Sequence, residues 1–125
     1  MEFDNNKSIF LQIADTISER VVKGAYPPGE KIPSVRELAA DLGVNPNTIM
    51  RTFTELQAAS IIENKRGIEY FVHHDASRII LQRKRSEFFS KVLPEFLRHA
   101  SLVGITSSDL RKHLDKLNNL PHENQ

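Results

Sequence analysis

The chain of 125 residues contains no cysteine. That excludes disulfides, a thiolate metal site and a cysteine nucleophile. No apolar run reaches the length of a membrane span. The first residues also lack the pattern of a secretory signal. The expectation is a soluble, cytoplasmic protein that does not engage a membrane. His73, His74, His99, His113 and His122 show no H-x-x-x-H spacing and no nearby carboxylate cluster, so neither a metal nor a cofactor is expected. No nucleophile–base constellation or phosphate-cradling glycine loop is visible, which argues against an enzyme.

An excess of one charge is missing too. The formal net charge is +1. Residues 1–72 hold 8 Lys and Arg against 10 Asp and Glu, while residues 73–125 hold 9 against 6. A general nucleic-acid coat would be more basic. If DNA is bound, a local face must do it.

What is present is a dense set of helix signals between Ser34 and Phe53. Ser34 and Glu37 have the spacing of a capping box, preceded by Pro33. Val35, Leu38, Ala39 and Leu42 give one apolar face, and Gly43 follows where a helix ends left-handed. Asn45 is a good N-cap, and Pro46 sits at the first helical position, where a missing N–H costs nothing. Val44 and Ile49 have hydrophobic-staple spacing. Ile49, Phe53 and Leu56 continue a buried face, leaving Asn47, Thr48 and Arg51 outward. Two start signals and a turn within about twenty residues predict a helix-turn-helix, with DNA as the partner. The bland alternative is an ordinary αα-hairpin.

The flanks extend this reading. Ile9, Phe10, Ile13, Ile17 and Val21 predict a helix from about Ser8 to Lys23, stopped by Gly24. Tyr26 to Pro33 is a stiff proline-bearing loop, with Lys31 and Ile32 as a short extended piece. Ile61–Glu63 and Ile68–Val72 predict a β-hairpin with its turn at Asn64–Gly67. Lys65 and Arg66 at its tip suit phosphate or minor-groove contact, or simply solubilise the turn.

Past Val72 the pattern changes. One long helix is predicted from about Ala76 to Ala100, capped by Asp75 and bent at Pro94. Leu81, Phe88, Phe89, Val92, Leu93, Phe96 and Leu97 cover more than one stripe of it, which implies a partner surface. The basic run Arg78, Arg83, Lys84 and Arg85 reads as a solvated face, a DNA-backbone contact or a cross-dimer pairing. A last helix capped by Thr106 or Ser107 carries Leu110, Leu114 and Leu117. A hairpin of about 45 residues is too small to stand alone, so packing against a second copy is the economical solution. Two copies would also read half-sites about 34 Å apart.

The run Pro28-Gly29-Glu30-Lys31-Ile32-Pro33-Ser34-Val35-Arg36-Glu37-Leu38-Ala39, with Val44-Asn45-Pro46-Asn47-Thr48, resembles the GntR superfamily of bacterial regulators, specifically its short YtrA-type branch. The resemblance covers residues 8–72 closely and the remainder by length. It implies a mainly α fold with a small β-hairpin. A winged helix-turn-helix for DNA would occupy residues 1–73, and a two-helix dimerisation hairpin residues 74–125. It implies DNA contact by Arg36, by Asn45, Pro46, Asn47 and Thr48 opening the recognition helix, by Arg51 one turn on, and by the wing-tip Gly67. The implied partners are double-stranded, palindromic operator DNA and a second copy of the chain, with repression as the default outcome. The residues specify no small-molecule effector. The family wing usually carries a second glycine where this chain has Glu69, so either that carboxylate turns from DNA or the wing contributes less. A winged helix used for protein–protein contact without DNA is the alternative function.

Overall fold

The computed structural model describes residues 7–121. The outer ends of the two predicted regions, residues 1–6 and 122–125, lie outside them. By internal packing the chain divides into two compact units, one ending at Leu81 and one beginning at Gln82.

The first unit is built on three helices: α1 (Ile9–Val22), α2 (Val35–Leu42) and α3 (Pro46–Ala58). Their ends follow the capping chemistry. Ser34 Oγ accepts the Glu37 N–H at 3.1 Å, and Glu37 Oε1 accepts the Ser34 N–H at 3.3 Å, a complete capping box. Gly43 closes α2 with φ +67°, a left-handed conformation that costs a glycine little. Asn45 Oδ1 accepts the Asn47 N–H at 2.8 Å, and Pro46 opens α3. The 3.6-residue periodicity buries Ile13, Ile17 and Val21 of α1 with Leu38 of α2 and with Ile49, Phe53 and Leu56 of α3.

Strands β1 (Ile62–Lys65) and β2 (Glu69–Val72) form an antiparallel wing in which Ile62 faces Val72 and Lys65 faces Glu69. The turn therefore falls at Arg66–Ile68, starting two residues and ending one residue later than predicted, and Ile68 leaves the strand. Arg66 and Gly67 both take positive φ, +56° and +79°, and Asn64 Nδ2 donates to Gly67 O at 2.7 Å. The predicted extended piece joins the other edge of β2: Ile32 N donates to Tyr70 O and Val72 N to Glu30 O, both at 2.9 Å. Ile61, Ile62 and Val72 complete the core, and Phe53 meets Tyr70 edge-on at 4.7 Å.

The helix predicted as one piece from 76 to 100 is divided. Helix α4 (Ala76–Glu87) gives way to a π-helical turn (Phe88–Val92), then to α5 (Leu93–Leu102). Pro94 has no N–H to bond the carbonyl four residues back, and the ladder lengthens there: Leu93 N donates to Phe88 O, five residues away. Ala76 and Ile80 belong to the first core, which is why that unit ends at Leu81 and not at the predicted residue 73. Helix α6 (Ser107–Leu114) has its own capping box between Thr106 and Asp109 and runs into a 3₁₀ turn (Asp115–Asn119). No helix among the described residues is long and apolar enough to cross a membrane.

Candidate nucleic-acid interface

The candidate residues cluster at the N-terminal end of α3. Arg36, Pro46 and Gly67 line one groove between α2, α3 and the wing, together with Met50 and Ile68. Asn47, Thr48 and Arg51 line a second groove against the start of α1, together with Ser8, Ile9 and Phe10. The free amides and dipole of a helix N-terminus favour an anion at such a place. Asn45 is exposed, but its side-chain oxygen already caps α3.

Arg36 is exposed and makes no ion pair among the described residues. Arg51 stacks its guanidinium over the Phe10 ring, 4.1 Å from the centroid, which orients the cation while leaving it exposed. Beneath it, the fully buried Thr52 places Oγ1 2.9 Å from Phe10 O and 3.0 Å from Thr48 O. One hydroxyl thus joins the start of α1 to α3. The sequence reading missed Phe10 in this role. Its place in an apolar stripe marked it as core, and the contact partner lies 41 positions away.

The wing residues divide. Arg66 sits exposed at the tip. Lys65 turns back, with Nζ 5.2 Å from the Phe71 ring centre and 3.8 Å from Glu63 Oε2, and it lines a different groove from Arg36 and Gly67. Glu69 lies 3.9 Å from Lys31 Nζ, so a cation from the proline-bearing loop offsets the carboxylate that replaces the usual second glycine.

One expectation about the histidines needs correcting. His73, His74 and Asp75 bring ligand atoms within 4.8 Å of one another, so carboxylates do lie nearby. Each group already has a structural contact. His73 Nδ1 accepts the Asp75 N–H at 3.0 Å, which leaves the ring proton on Nε2, 3.4 Å from Glu63 Oε1. Asp75 Oδ2 stands 3.6 Å from both Arg78 and His74.

Of the residues predicted to dimerise, Phe88, Phe89, Val92, Phe96 and Leu97 are 45–54% exposed. Leu93 is half-buried. Leu81, 39% exposed, ends the first unit.

Comparison with known proteins agrees with the geometry. Residues 10–72 match the family described as bacterial regulatory proteins, gntR family. The chain is 38% identical over 109 residues to the HTH-type transcriptional regulator YhcF of Bacillus subtilis, covering 87% of this chain and 88% of that protein. It is 30% identical over 109 residues to the transcriptional repressor YtrA of the same organism, covering 87% and 83%. Among solved structures, a GntR-family regulator from Bacteroides thetaiotaomicron superposes with a TM-score of 0.76 at 35% identity, covering 90% of this chain and 97% of that one. A capped helix pair, a β-wing and an exposed arginine on α2, with no ion pair among the described residues, thus coincide with family membership. The chain belongs to the gntR family of bacterial regulatory proteins, in its short YtrA-type branch, and is a DNA-binding transcriptional regulator, not an enzyme.

Proposed function

We propose that the protein is a homodimeric repressor that occupies a palindromic operator and blocks polymerase. The observation that carries this reading is the grouping of Arg36, Pro46, Asn47, Thr48, Arg51 and Gly67 in two grooves flanking the start of α3. Arg36 is the principal side chain for base or phosphate contact, because it is exposed and unpaired among the described residues. Asn45 fixes the start of the reading helix, and Arg51, held on Phe10, approaches the backbone of the same strand. Arg66 and Gly67 supply the wing contact. Lys65 contributes less, since its ammonium is turned onto Phe71 and Glu63.

Dimerisation falls to the unit beginning at Gln82. Phe88, Phe89, Val92, Phe96 and Leu97 expose more apolar surface than a short helical region can leave in water. Repression agrees with the named role of YtrA. Two copies bring two reading helices to the half-sites of a palindrome.

Arg36→Ala should weaken binding to a selected operator fragment by about 1–3 kcal/mol without changing the melting curve. Anisotropy titration at constant salt checks it. Unchanged affinity would remove Arg36 from the interface. Light scattering on the wild type should give twice the chain mass, and a monomer at micromolar concentration would overturn the dimer.

A further inference from the structure

Between α2, α3 and the wing lies a groove of about 650 Å³, walled by Val35, Pro46, Met50, Ile68 and Tyr70, with Arg36 at its margin. Ile68 is 84% exposed and Met50 46%. Contiguous apolar surface is costly to leave in water, and a mostly apolar groove of this size with a charged group at its edge is the usual form of a small-molecule site. All of its walls belong to the first unit.

The charges select the occupant. Arg36 is exposed and makes no ion pair among the described residues. Two neighbouring acids are held elsewhere: Glu37 Oε1 accepts the Ser34 N–H, and Glu69 lies 3.9 Å from Lys31 Nζ. Ser34, Val35 and Arg36 open α2, and Pro46 opens α3, so two helix N-termini also border the groove. Their dipoles favour a negative group. A guanidinium beside an apolar wall fits a molecule with one carboxylate and a hydrocarbon body. The carboxylate can pair with both arms of the guanidinium. The body lies along Met50, whose unbranched thioether adapts to an irregular shape. A small dianion would set its second charge against Met50 or Ile68, and a neutral hydrocarbon would make no use of Arg36.

We propose that this groove binds an aliphatic monocarboxylate, and that the bound molecule competes with operator DNA for Arg36. The competition rests on the operator-binding reading above and gives it an effector class; the binding itself needs no DNA. Arg36, Pro46 and Gly67 line the groove and also belong to the proposed operator face. One occupant therefore excludes the other, and the carboxylate stabilises only the DNA-free form.

Octanoate is the probe, added to the full chain while the side-chain methyl groups are followed by NMR. The wild type should show saturable shifts at Met50 and Ile68 with a Kd of about 1 mM, the sum of one charge-assisted pair and a partly buried chain. Octanol, which lacks the charge, and acetate, which lacks the chain, should each bind about tenfold more weakly. Arg36→Ala should weaken octanoate about tenfold and leave octanol unchanged, whereas Met50→Ala with Ile68→Asn should weaken both. These three residues are exposed, so the variants should melt like the wild type. With a DNA fragment selected by the protein, octanoate at its own Kd should lower operator affinity about twofold per subunit against an equal concentration of acetate. No saturable shift overturns the site, as do shifts at Val92 or Leu97 in place of Met50 and Ile68. Equal octanoate binding by wild type and Arg36→Ala overturns it as well. Saturation without loss of operator affinity overturns the competition. A chain that enriches no DNA fragment overturns the operator reading and the competition together, while the methyl shifts still decide the site.

Discussion

Gln82 marks a change in how the chain treats its apolar side chains. Before it, Ile13, Ile17, Leu38, Ile49, Phe53, Leu56 and Ile62 are almost wholly excluded from water and enclose one core. After it, Ala100 is the one buried residue among the described positions, while Leu102 and Val103 are 75% and 69% exposed. Both units have well-capped helices, so the contrast is not one of secondary structure. The first unit has a β-wing and three crossing helices to close around its apolar faces. The second has only short helical segments, which cannot enclose Phe88, Phe89, Phe96 and Leu97. Helix signals in a sequence therefore say where helices form, while the balance of apolar surface to enclosing elements says whether they can stand alone.

The largest expected effect tests that contrast directly. Replacing Phe88 and Leu97 together with Asp should convert the proposed dimer to monomers. Each apolar side chain buried at an interface is worth about 2 kcal/mol, and two-fold symmetry counts each twice, for a total of about 8 kcal/mol. That would carry a nanomolar dimer to about the millimolar range. Sedimentation velocity at micromolar concentration should show the monomer, with the far-ultraviolet signal of α1–α3 retained. A persistent dimer would mean that some other surface joins the copies. Truncation in the first unit should behave differently. Phe53→Ala removes a ring that is 1% exposed and edge-on to Tyr70, and should cost about 3–5 kcal/mol. Urea unfolding followed by circular dichroism would measure it. The loss should be independent of protein concentration, whereas the loss from the paired Asp variant should grow on dilution.

A smaller change probes the join between α1 and the reading helix. Thr52→Val keeps the shape but deletes the hydroxyl between Phe10 O and Thr48 O, a loss of about 1–2 kcal/mol. Hydrogen exchange should show faster opening of the first turn of α1, and operator affinity should fall as Phe10 loses its place beneath Arg51. Unchanged exchange there would show that apolar packing alone holds α1.

The helix-turn-helix was legible because its determinants are local. Ser34 reaches Glu37 and Asn45 reaches Asn47 across two or three positions, so residue type and spacing were enough. The wing's existence was legible for the same reason, but its register was not. Placing Ile68 in the turn depended on left-handed backbone at Arg66, a non-glycine residue, which residue pattern does not announce. The pairings of Glu69 with Lys31 and of Arg51 with Phe10 join positions about forty apart, and only the folded chain brings them together. Pro94 foretold a bend in the long helix, not its division. That the break takes the form of a π-turn beginning at Phe88 depends on how the chain repairs its backbone bonds.

The finest comparison sets the two capping boxes against each other. Hydrogen bonds from Ser34, side chain and then backbone, hold the Glu37 carboxyl below its ordinary range. Those from Thr106, backbone and then hydroxyl, do the same for Asp109. A carboxyl whose folded pKa lies below its unfolded value stabilises the fold above the unfolded value, and that contribution disappears as pH falls through the folded one. Both groups are exposed, so the effect is small, and it should appear as fraying of a first helical turn, not as global unfolding. Between neutral pH and the acid end of the carboxylate range, α6 should fray before α2. Helix α6 buries no residue, whereas α2 is anchored by Leu38 and Ala39. Hydrogen exchange at the amides of Glu37 and Asp109 would measure the order. Glu37→Gln and Asp109→Asn should each flatten the acid response of their own helix only. If α2 frayed first, core anchoring would not be what distinguishes the two units at their helix ends.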